Sequence, residues 1–238
     1  MTILNLPTAD VGLSPGSRPA VGSDDRSRSH RVADSVRKAI LDGTYGVGTR
    51  LSEPRICRDF MVSRNTLREA FRMLADERLV VHELNRGVFV RVPSTSDVSE
   101  LYDARRLIEC AAVQGRDPGA AGLEAVADAL SRADRMAAEE DWVGVGTADI
   151  DFHRELTALG STRIVALMQS IWNEMRLAFH VVDRPDAMHG AYLERNHLIY
   201  DLLLRRGGPA AAAELRCYLD EAEQHVLEAF RRRDLASR

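Results

Sequence analysis

Two sets of side chains in this sequence have types and spacings suited to chemistry. The first is Arg64, Arg68 and Arg72 in "VSRNTLREAFRMLADERL", residues 62–79. At about 100° per residue they share one helical face with Asn65, while Leu67, Ala70, Phe71 and Leu74 form another roughly a third of a turn away. The apolar face would dock the helix. The cationic face starts at a helix N-terminus, where free backbone N–H groups favour phosphate. An arginine fork can also bond both acceptors on a guanine edge. The competing reading is a solvated amphipathic helix with charges spaced i,i+4. The second set is Asp149 and His153, with His197 further along. In 142–159, Trp142, Val145, Phe152, Leu156 and Leu159 define an apolar face with Asp149 and His153 in its middle. Along 188–206, His197 falls with Leu193, Tyr200 and Leu204. Buried groups of this kind must be paired or ligate a cation. If the three converge they offer one O and two N ligands to Zn²⁺ or a similar divalent ion. The alternative is an Asp–His hydrogen bond or satisfied core histidines.

The elements that must position these groups follow from the surrounding pattern. "RVADSVRKAILDG" places Val32, Val36, Ala39 and Ile40 on one face and stops at Gly43. "LSEPRICRDFM" opens with Ser52 as an N-cap and Pro54 in the first turn. A short break, "MVS", leads to the arginine helix, capped by Ser63. "LVVHELNRGVFVRV" then reads as two strands around a turn at Asn85–Gly87. This order of helix, helix, break, helix and hairpin is a winged helix-turn-helix. Later segments near 98–115, 119–139, 144–159, 161–182, 188–206 and 210–232 read as helices broken at Gly or Pro. The expected fold is mainly α: a winged helix-turn-helix of three helices plus a β-hairpin wing, then an all-α antiparallel bundle. The expected divisions are a disordered tail at 1–29, the DNA-binding domain at 30–92, a linker at 93–97, the helical domain at 98–232 and a tail at 233–238.

Charge is distributed along the same divisions. The whole chain of 238 residues has a formal net charge of −4. Residues 30–92 carry 12 Lys+Arg against 8 Asp+Glu, whereas residues 93–238 carry 17 against 25. A basic block joined to an acidic one suggests that only the first meets a polyanion. No apolar run approaches the roughly 18 residues that span a bilayer, and the N-terminus lacks the pattern of a secretory signal. Three widely spaced cysteines, Cys57, Cys110 and Cys217, argue against a disulfide framework and for a reducing cytoplasm.

On "ILDGTYGVGTRLSE", "VSRNTLREAFRML" and the hairpin ending "NRGVFV", residues 30–92 resemble the DNA-binding domain of GntR-family bacterial transcription regulators. The resemblance implies that Arg55, Ser63, Arg64, Asn65, Thr66 and Arg68 contact bases or phosphates. It also implies that the Arg86–Gly87 wing tip enters the minor groove. Val47 stands where the family commonly has proline, which affects a turn and not DNA reading.

Residues 98–232 resemble the FCD ligand-binding domain of the FadR-type branch, on "LYDARRLIECAAV", "ADIDFHRELTALGSTRIVAL" and "ERNHLIYDLLLRRGGPAAAAELRCYLDEAE". Such domains often hold a metal through Asp-x₃-His and two later histidines, which Asp149, His153 and His197 match in part. The last position falls at or next to Tyr218, with His225 two turns on along the same face. Tyr218, a water or the effector would complete the shell, or the site is empty. Arg105 matches an arginine near the effector and would clamp a carboxylate; alternatively it forms a surface salt bridge with Asp103 or Glu109.

These readings imply a cytoplasmic, homodimeric, metabolite-responsive regulator, most often a repressor in such families. It would bind a palindromic double-stranded DNA operator and a small organic acid effector. A metal-dependent hydrolase using Asp149, His153 and His197 is the rival from another class. Against it, HExxH and phosphate-loop motifs are missing. An architectural DNA-binding protein would have no need of a polar bundle interior.

Overall fold

The computed structural model describes residues 27–182 and 185–236. Helix α1, Arg28–Leu41, begins where the Ser27 side chain accepts a hydrogen bond from the His30 N–H, so the first helix starts before His30. The expected tail therefore ends by Ser27, and its residues 1–26 lie outside the described residues. Strand β1 (Arg50–Leu51) leads into α2 (Glu53–Asp59), with Pro54 in the first turn. Ser52 stands at the N-cap of α2, but its side chain makes no capping hydrogen bond. Helix α3 (Arg64–Asp76) and strands β2 (Val80–Glu83) and β3 (Gly87–Val90) complete the winged helix-turn-helix. Asn85 and Gly87 adopt φ values of 60° and 111° at the wing tip, a backbone that Asn and Gly accept most readily.

The sheet has three strands in the order β1-β3-β2. The hairpin was legible as a turn between two alternating runs. Strand β1 was not, because two residues are too few to show a period. It pairs antiparallel with β3, Arg50 opposite Phe89 and Leu51 opposite Val88. Val36, Ile40, Leu67, Phe71, Leu74 and Val90 form the core where α1 and α3 pack. Arg37 on α1 forks onto Glu77 just past α3, both bonds at 2.6 Å.

The chain divides into two units between Val92 and Pro93. The second consists of α4 (Thr95–Gln114), α5 (Leu123–Ala138), α6 (Trp142–Gly160), α7 (Thr162–Phe179), α8 (Pro185–Arg205) and α9 (Gly208–Ala236). A capping box at Ser94 and Asp97 starts α4, so the expected linker is partly helix. Helix α9 runs through most of the expected C-terminal tail. Helix α6 packs against α4, α5, α7 and α8. Enclosure by four neighbours is why polar groups on α6 end up without water.

Helices α4 and α9 also pack on one another, and Gly208 at the start of α9 lies against the C-terminal end of α4. Its N–H donates to the Arg116 carbonyl at 2.7 Å, and a Cβ there would lie 1.9 Å from the Val113 carbonyl oxygen. Because the obstacle is backbone, Gly208→Ala must push α9 off α4. Unfolding in urea should show a loss of about 1–3 kcal/mol. Gly115→Ala, with open space around it, is the control.

Candidate functional site

In the first unit, Leu67, Ala70, Phe71 and Leu74 are fully buried and fix α3 in place. Arg64, Asn65, Arg68 and Arg72 lie exposed on the other side. Ser63 caps the helix by accepting from the Thr66 N–H at 3.1 Å, and its hydroxyl lies 2.9 Å from that of Thr66. The remaining first-turn N–H groups have no carbonyl partner inside the helix. Arg68 is 4.0 Å from the Glu53 carboxylate. Arg64 and Arg72 make no ion pair among the described residues. Their charge is thus available to an incoming anion. Arg55 on α2 is half-buried and leans toward Asp59 at 3.7 Å.

At the wing, Arg86 is exposed, contacts the Glu83 carboxylate and lies 5.2 Å from the Phe89 ring centre. Gly87 has Arg50 beside it: a Cβ there would sit 3.4 Å from Arg50 Nε. Sequence reading missed Arg50, because its place at the wing depends on the β1–β3 pairing. The first unit therefore presents cations from α3 and from the wing.

The second unit holds a buried polar site around α6. Asp149 is 6% exposed and His153 fully buried. Asp149 Oδ1 accepts from Asn196 Nδ2 at 2.7 Å and from the Tyr218 hydroxyl at 2.9 Å. His153 Nε2 lies 3.8 Å from the same oxygen, and its Nδ1 lies 2.8 Å from Glu109 Oε2. Glu109 Oε1 accepts from Arg105 Nε at 2.8 Å, and Trp172 Nε1 approaches it at 3.4 Å. Burial pushes the Glu109 carboxyl up, but the Arg105 guanidinium and then His153 outweigh it and hold it at about 2. Burial, and next the Asp149 charge, raise the Tyr218 phenol well above its ordinary range, so it stays a donor. His189 is also buried, and burial lowers its pKa. Its ring fits against α6 because Gly146 has no Cβ, which would fall 2.8 Å from His189 Nε2.

Arg105 therefore points inward, 1% exposed, and pairs with Glu109; Asp103 pairs instead with Arg106. His197 does not join this site. It is 46% exposed and bonded to Asp134 at 2.8 Å. The buried stripe of α8 is Tyr192, Asn196, Ile199 and Leu203, one position away from the expected face. Three consecutive leucines at 202–204 made either face plausible, and Asn196 reads as a surface residue. His225 is bonded to the Tyr192 hydroxyl at 2.6 Å rather than to Asp149.

The residues present do not fit the expected metal shell. A zinc site takes about four ligands drawn from thiolate, imidazole and carboxylate. Here Asp149 and His153 are joined by an amide and a protonated phenol. No group of three or more His, Cys, Asp and Glu among the described residues is placed to hold a metal.

Comparison with known proteins agrees with this two-part geometry. Residues 28–90 match the model of bacterial regulatory proteins of the gntR family, and residues 100–221 match the FCD domain. The gluconate operon transcriptional repressor of Bacillus subtilis is 36% identical over 38% of this chain and 37% of its own length. Relatives of that kind are thus matched over about a third of their length. The Uxu operon regulator of Haemophilus influenzae is 26% identical over 83% of this chain and 81% of its own. A solved structure described as a GntR transcriptional regulator from Rhodococcus sp. RHA1 is 54% identical, covering 86% of this chain and 99% of that one, with a TM-score of 0.83. These are regulators and not enzymes. The chain belongs to the GntR family of bacterial regulatory proteins, in the group whose second domain is FCD.

Proposed function

We propose that this protein is a sequence-specific transcription regulator, a repressor that binds a palindromic operator as a homodimer in the cytoplasm. The observation that carries this reading is α3: one face fully buried, the opposite face offering exposed Arg64, Arg68 and Arg72 beside a capped N-terminus. Arg64, Asn65 and Arg68 read base edges, Ser63, Thr66 and Arg55 hold phosphates, and Arg86 with Gly87 enters the minor groove. The names of relatives support repression, since the gluconate operon repressor is matched mainly across the DNA-binding unit. No helix among the described residues is long and apolar enough to cross a membrane.

The second unit binds a small organic acid, with Arg105 as its cationic contact. That acid changes DNA affinity by binding two arrangements of the dimer unequally. The hydrolase alternative loses its third ligand, because His197 lies outside the interior site.

Footprinting on a genomic fragment selected by the protein tests this reading. The expected result is two protected half-sites related by a two-fold axis, with centres about one helical turn apart or a multiple of it. A single unpaired half-site would contradict the dimer.

A further inference from the structure

We propose that the interior site of the second unit works without a metal ion, and that its ligand is a small carboxylate bearing a hydroxyl or ammonium donor. Its meaning as an effector site rests on the regulator reading above. Asp149 is buried and needs compensation, and two neutral donors supply it on one oxygen, from Asn196 on α8 and Tyr218 on α9. A cation reaching that oxygen would have to displace both. Asn196 and Tyr218 therefore stand where a metal would otherwise sit.

Six buried polar atoms in this cluster have no hydrogen-bond partner: Tyr102 Oη, Arg105 Nη2, His153 Nε2, Asn196 Oδ1, and His153 Nδ1 and Glu109 Oε2, which face one another at 2.8 Å. Their residues are each no more than 2% exposed. Buried polar atoms are rarely left unpaired, so such a set calls for a polar occupant. The first four fall into two kinds. Arg105 Nη2 is a donor and the Tyr102 hydroxyl can donate, and the guanidinium carbon lies 5.3 Å from the Tyr102 ring centre. A carboxylate satisfies both. Nδ1 of His153 faces the Glu109 carboxylate at 2.8 Å, and a proton placed there leaves Nε2 an acceptor. Asn196 Oδ1 is a second acceptor. These two require donors from the ligand, which a hydroxyl or an ammonium group provides.

The test uses the full-length protein, with zinc and small acids as separate probes. After exposure to ZnCl₂ and dialysis, the wild type should retain far less than one zinc per chain, with Tm unmoved. Asn196→His with Tyr218→His places imidazoles beside Asp149 and His153 and should retain about one. If that pair fails to fold, Asn196→His alone should still bind zinc more tightly than wild type. Wild type holding about one zinc per chain, lost in Asp149→Asn, would overturn the metal-free site. Folded histidine variants that gain no zinc would overturn the part given to Asn196 and Tyr218.

In EDTA, Tm is then read with propionate, lactate and alanine, and with hexanoate, gluconate and norleucine. At least one hydroxy or amino acid should raise Tm by several degrees while its plain counterpart does not. The two arms separate hydroxyl from ammonium. Equal effects from the plain acids, stabilisation that requires zinc, or no stabilisation by any acid would overturn the ligand class. A protein that binds its operator yet holds zinc sinks this inference alone, whereas a zinc-free protein that binds no operator sinks the regulator reading alone.

Discussion

Replacing Arg64 and Arg68 together by alanine is expected to lower affinity for a selected DNA site by about a hundredfold or more. Each arginine that forks onto a guanine contributes roughly 1–3 kcal/mol of discrimination. Both guanidinium groups stand on the exposed face of α3, and neither supports the core formed by Leu67, Phe71 and Leu74. Stability should therefore change by no more than about 0.5 kcal/mol. Lysine at both positions keeps the charge but not the fork. It should restore the salt dependence of binding and only part of the sequence preference. The measurement is a fluorescence-anisotropy titration against specific and scrambled duplexes at several salt concentrations. Unchanged affinity in the double alanine variant would remove α3 from the interface.

The second large effect is expected inside the helical unit. Glu109 is fully buried, and its partners are the equally buried Arg105 and His153. Glu109→Gln leaves the Arg105 charge without a counter-ion, which costs about 3–5 kcal/mol in a buried pair. Arg105→Met with Glu109→Leu removes both charges and should recover most of that loss. Both tryptophans, Trp142 and Trp172, belong to the second unit, so urea unfolding followed by their fluorescence reports on it alone. Acid should act on the same pair. The Glu109 carboxyl is held at about 2 in the folded protein against an ordinary 4.5. A lowered acid contributes its stability above the unfolded value and loses it as pH falls toward the folded one. Stability should therefore drop between pH 4.5 and 2, by about 3 kcal/mol from this group. A Glu109→Gln protein should lack that share of the drop.

Much of this architecture was legible because its signals are local. Helices α1 and α3 repeat apolar residues with a helical period, Ser63 caps where a cap was expected, and Asn85–Gly87 marks the wing turn. The later helices were separable at their glycines and prolines except α5 from α6, where the break falls at residues 139–141 and Gly144 and Gly146 lie inside α6. The interior site was less legible because it depends on register between helices. The Asp149–His153 pair could be found, since both fall mid-stripe on α6. Asn196 could not, because α8 carries apolar residues on more than one face and the choice of stripe passed to His197. Glu109 sits in an ordinary helical run, and only the packing of α4 against α6 and α7 shows that it faces His153 and Trp172. For Arg105, four-residue spacing correctly offered Glu109 as a partner, but it could not show that the pair lies in the interior.

On the proposed function, this chain reads a particular DNA sequence. Its most direct test is the ratio of affinities of the intact protein for its selected site and for a scrambled duplex of equal length, at physiological salt. A sequence-specific regulator should prefer its site by about a thousandfold or more, and the preference should collapse in the Arg64→Ala, Arg68→Ala protein. Equal affinity for the two duplexes would show that the chain does not read DNA sequence.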